Sequence, residues 1–131
     1  MLSGLLNGVE TWRADAVQRV QLVYDAWEQD EDGFDEVYGG GGICDDVAAA
    51  LVDALQAAGV EAATYHYEQD NHTVALARLH GRTVEVDIPL HLYESGSWYS
   101  YTKKPGVRFS SAHITVVELG PAEVFDEMAE S

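Results

Sequence analysis

Cations are scarce in this 131-residue chain: seven Lys and Arg stand against 23 Asp and Glu, and Lys103 and Lys104 are the only lysines. The formal net charge of -16 repels phosphate backbones and anionic lipid, which argues against nucleic-acid and membrane partners. A basic protein partner fits such a surface, and so does adaptation to high salt. Cysteine is reduced to Cys44, so no intramolecular disulfide, CxxC redox pair or structural zinc finger can form. No apolar run approaches the ~18 residues of a membrane span. The segment from Met1 to Val9 lacks the basic start and long apolar stretch of a secretory signal. A soluble, cytoplasmic protein is expected. The five histidines form no HxH, HxxxH or HExxH pattern, so no metal or other cofactor is expected. The run Gly39 to Gly42 lacks the GK[ST] ending of a phosphate cradle and is followed by Asp45 and Asp46, which argues against nucleotide binding.

What is present reads as one domain covering residues 1–131. Apolar residues make up 47% and charged residues 23%, ordinary globular figures for a chain long enough to bury a core without staples. Val9, Trp12, Ala16, Val20, Val23 and Trp27 recur at helical spacing and predict an amphipathic helix. An acidic loop follows over 28–36. The four glycines permit close backbone approach. A second helix then opens at Cys44, with acids in its first turn and an apolar stripe (Cys44, Ala48, Leu51, Leu55, Ala58) that Gly59 stops. Beyond it the pattern turns to strands at Ala62–Glu68, His72–Leu79 and Thr83–Ile88, the last two joined tightly through His80, Gly81 and Arg82. Shorter strands are predicted at Trp98–Thr102, Gly106–Phe109 and His113–Leu119, with Ser95–Ser97 as a connection. Pro121 is expected to start a short C-terminal helix over 121–128. Helices first and antiparallel strands afterwards give an α+β class, N-terminal helices packed on an antiparallel β-sheet.

A thiol becomes a nucleophile when a helix N-terminus and an imidazolium favour its anion and a third group orients that imidazole. Cys44 begins a helix, His72 begins a strand, and Asp87 closes the next one before Ile88 and Pro89. These residues, with Gly-Gly-Ile-Cys-Asp-Asp at the helix start, Asn71-His72 and Val86-Asp87-Ile88-Pro89, resemble the transglutaminase-like branch of the papain-like cysteine protease superfamily. The resemblance spans about Gly39 to Pro89. It implies a papain-like (transglutaminase-like) fold in which Cys44, His72 and Asp87 form a catalytic triad for acyl transfer on an amide or thioester. Hydrolysis, deamidation and transamidation share that triad.

The Cys44 backbone N–H is one oxyanion donor candidate, with Tyr38 or the amide of Gly42 as a second. No glutamine stands shortly upstream of Cys44, a departure from the papain arrangement. His91 and then His113 are the substitutes for His72 as base. Asp45 and Asp46 oppose a thiolate unless their side chains point away. With Val84, Val86 and Ile88 on one strand face, Asp87 lies on the other, and meeting His72 depends on the strand register. Trp98 and Tyr99, with Tyr93 and Tyr101, are candidates to line a substrate cleft or to fill the core. Two functions are therefore expected in order: a thiol-dependent peptidase, amidase or transglutaminase-like enzyme acting on a peptide or protein amide, or a non-catalytic acidic binding or inhibitory module on the same fold.

Overall fold

The computed structural model describes residues 2–29, 43–69, 72–97 and 100–129, with backbone only for 2–11, 95–97 and 100–103. The two long apolar stripes become α1 (Leu2–Gln29) and α2 (Cys44–Ala57). On α1 the buried face is Trp12, Ala16, Val20, Tyr24 and Trp27, at the three- and four-residue steps that align side chains along a helix. Gly59, at φ 82°, ends the second helix in the left-handed conformation that glycine adopts without a Cβ clash.

Four antiparallel strands make the main sheet: β1 (Ala62–Tyr67), β2 (His72–Leu79), β3 (Arg82–Asp87) and, after an excursion, β6 (Thr115–Pro121), in that spatial order. Between β3 and β6 the chain forms a single 3-10 turn (Leu90–Leu92) and a small hairpin of β4 (Glu94–Ser97) and β5 (Ser100–Lys103). A second such turn (Ser111–His113) leads into β6, and α3 (Glu123–Ala129) closes the described chain. The fold is thus α+β with its helices packed on an antiparallel sheet. Among the described residues no helix is long and apolar enough to cross a membrane.

Side-chain alternation assigns the two faces of the sheet. Ala62, Ala75, Ala77, Val84, Val86 and Ile88 join the core formed with α1 and α2; the small residues on β2 let α2 lie close. His72, Val74, Leu76 and Arg78 occupy the other face, where the Arg78 guanidinium sits 4.9 Å from the ring of buried Phe125 on α3. The β2–β3 connection is the two-residue turn His80-Gly81, both at positive φ (54° and 73°). That is the conformation whose twist matches a tight hairpin. It fixes a register in which Ala75 faces Val86, so Asp87 shares a face with His72.

Three expectations are corrected. Residues 106–109 are not a strand, because α1 side chains take their backbone groups. Gln21 accepts the Phe109 N–H (2.9 Å) and donates to the Val107 carbonyl (3.0 Å), Tyr24 accepts the Val107 N–H (3.2 Å), and Glu28 accepts the Gly106 N–H (2.5 Å). Ser95–Ser97 is not a mere connection but belongs to β4, paired with β5. Pro121 ends β6 opposite Arg82 instead of starting a helix; the last position of an edge strand tolerates its missing N–H. The helix follows at Glu123. The predicted acidic loop lies outside the described residues from Asp30 onward.

Candidate functional site

Cys44 is the first residue of α2, half-buried, with buried Ile43 before it. Ile43 supplies no side-chain cap, so the first-turn amides keep the partial positive charge of a helix start. The Asp45 carboxylate accepts the hydroxyl proton of buried Thr73, and that hydroxyl oxygen lies 2.9 Å from Nδ1 of His66. Thr73 follows His72 on β2, so this contact also docks the start of α2 on the strand that carries the imidazole.

His72 Nε2 and Asp87 Oδ2 are 2.7 Å apart, with both side chains largely buried (16% and 13% exposed). Asp87 is itself held by β6, since its backbone carbonyl accepts the Thr115 hydroxyl at 3.1 Å. The imidazole is pushed up from 6.5 to about 10, first by the hydrogen bond to Asp87 and then by the Cys44 side chain, against the opposing effect of burial. Nδ1, buried on the other side of the ring, makes no hydrogen bond of normal geometry. The Cys44 side chain is the neighbour that, after Asp87, raises this ring.

Cys44, His72 and Asp87 are therefore brought together, as the order of the sequence suggested. The substitute bases are not at this site. His91 is exposed in the Leu90–Leu92 turn, where its carbonyl accepts the Lys104 ammonium. His113 accepts the Ser110 N–H through Nδ1 at 3.1 Å and caps its own turn. Tyr38, Gly42, Trp98 and Tyr99 lie outside the described residues.

Two further residues follow the Leu90–Leu92 turn: Tyr93, a candidate for the cleft or the core, and Glu94, which the sequence did not single out. Tyr93 is wholly buried between Trp27 (6.3 Å, edge-on) and Phe109 (6.0 Å), so its ring belongs to the core. Burial raises its phenol far above the ordinary range, and the charges of Glu94, Asp87 and Cys44 add to this. Glu94 is half-buried; desolvation raises its carboxyl, and the charge of His72 opposes that shift. Nothing in the sequence distinguishes Glu94 among 23 acids. Its position depends on the turn after Pro89 and on the Lys104 N–H bonding the Tyr93 carbonyl at 2.9 Å.

Among known proteins, no family model, no curated protein and no solved structure matches this chain. The functional argument accordingly rests on the site itself.

Proposed function

We propose that this protein is a thiol-dependent acyl-transfer enzyme on a papain-like (transglutaminase-like) scaffold, acting on a peptide or protein amide. The observation that carries the reading is the imidazole of His72, bound by Asp87 at 2.7 Å on one side and acted on by the Cys44 side chain. A buried structural cysteine has no use for such a neighbour.

In this reading the Cys44 sulfur attacks the carbonyl carbon and forms a carbon–sulfur bond. The carbon–nitrogen bond then breaks as His72 gives its proton to the leaving nitrogen. Asp87 keeps the ring oriented and stabilises its charged form. Water or an amine next attacks the thioester, His72 takes the proton of that nucleophile, and the sulfur departs. The amide of Cys44 at the start of α2 is one donor to the oxyanion, with Tyr38 or Gly42 as the second. The acidic surface favours substrates or partners carrying positive charge.

Iodoacetamide tests the reading. Cys44 should alkylate near pH 6 faster than a free model thiol, and His72→Ala should slow it by about tenfold or more. Labelling only upon unfolding overturns the enzyme and leaves an acidic binding module.

A further inference from the structure

His66, Thr73 and Asp45 stand on three separate elements, β1, β2 and α2, and meet in one chain of hydrogen bonds. The Thr73 hydroxyl donates to the Asp45 carboxylate, and Nδ1 of His66 lies 2.9 Å from the same hydroxyl oxygen. The register of the sheet builds this in, since His66 stands directly opposite Thr73 and Tyr67 directly opposite His72. Asp45 is the residue after Cys44, and Thr73 is the residue after His72. The chain thus flanks the sulfur and the imidazole at one residue's remove.

Proton counting gives the chain a direction. A hydroxyl carries a single proton, and a carboxylate only accepts. With that proton committed to Asp45, the Thr73 oxygen can only accept from His66, so Nδ1 holds the ring proton and the lone pair of the neutral imidazole is left on Nε2. A donor at Nδ1 serves the bond beyond it in two ways. It occupies the hydroxyl oxygen, which keeps the hydroxyl proton on the Asp45 side, and it polarises the hydroxyl, which strengthens the bond to the carboxylate. Thr73 is 6% exposed, and branching at Cβ leaves its χ1 little freedom. His66 itself is exposed on β1, so its ring is not needed to fill the core.

We propose that His66 is a positioning residue of this site: through Thr73 and Asp45 it holds the first turn of α2, and with it Cys44, against the strand that carries His72. The inference rests on Cys44 being the nucleophile, and it adds a residue that the order Cys, His, Asp does not contain.

Two measurements on the intact chain test this. Nitrogen NMR of protein labelled in its histidine rings should find the neutral His66 ring protonated at Nδ1, and a ring protonated at Nε2 overturns the proposal. This needs no variant, so it decides even where a variant fails to fold. Alkylation of Cys44 by iodoacetamide at fixed pH should be about fivefold slower in His66→Ala, the equivalent of one hydrogen bond. His66→Asn places an uncharged amide N–H where Nδ1 was and should recover most of the rate, which separates hydrogen bonding from charge. An unaltered rate in His66→Ala, or no recovery in His66→Asn, overturns the proposal. Combining His66→Ala with Thr73→Val separates this role from a general loosening of the fold: the double variant should be no slower than Thr73→Val alone, and additive losses overturn the proposal. Resistance of Cys44 until unfolding in the unaltered protein refutes the nucleophile and this role with it, whereas rapid alkylation that ignores His66 refutes this role alone.

Discussion

The carboxylate of Asp45 accepts the hydroxyl proton of Thr73, which ties the residue after Cys44 to the residue after His72. One hydrogen bond thus joins the helix that carries the sulfur to the strand that carries the imidazole. Thr73→Val should free Asp45, slow alkylation of Cys44 several-fold, and destabilise the fold by about 1 kcal/mol for the lost bond. Iodoacetamide rates at fixed pH together with urea unfolding measure both effects.

Removing the acid from the His72 pair should return the ring towards its ordinary value. In Asp87→Asn the His72 titration, followed by NMR of the ring protons, should fall from about 10 by more than one unit. A ring that still titrates near 10 would mean that Asp87 is not the principal cause.

The raised value of His72 also ties stability to pH. Its folded pKa, about 10, lies above the unfolded value of 6.5, so the folded state binds the proton more tightly. The resulting stabilisation is complete below pH 6.5 and declines as pH rises through 10. Urea unfolding at intervals across that window should show a decline in the unaltered protein that is much flatter in His72→Gln.

Catalysis follows the same proton. An imidazolium serves as acid for the leaving nitrogen only while it persists, so the alkaline limb of kcat/KM on a peptide amide should lie near 10. In Asp87→Asn that limb should move to lower pH. A limb that stays in place would assign it to another group.

Away from the site, Tyr24 anchors the 104–107 segment to α1 by accepting the Val107 N–H and donating to the Lys104 carbonyl. Tyr24→Phe keeps the ring contacts with Trp27 and Phe109 but leaves backbone groups unpaired. A loss of about 1–3 kcal/mol is expected by urea denaturation.

The two long helices and the first three strands were legible because their signals are local. Apolar steps of three and four marked α1 and α2, and the length of β2 was set by the breaks at Asn71 and His80. The triad was legible through order and element type, yet its convergence required a register, and that register comes from the positive φ of His80 and Gly81. Residues 106–109 misled because their short pattern suits a strand, while Gln21, Tyr24 and Glu28, nearly eighty or more positions earlier, satisfy their backbone. Glu94 was invisible for a related reason: what sets it apart is its surroundings, not its residue type.

β6 is an outer strand of the main sheet and carries two exposed valines, Val116 and Val117 (37% and 50% accessible). Among the described residues no strand pairs with the outer margin of β6; such a margin templates further strands, and mutual repulsion between highly anionic copies opposes that joining at neutral pH. Acidification removes the repulsion while leaving the valines where they are, so the carboxylates that keep copies apart at neutral pH also guard this seam against fibril growth.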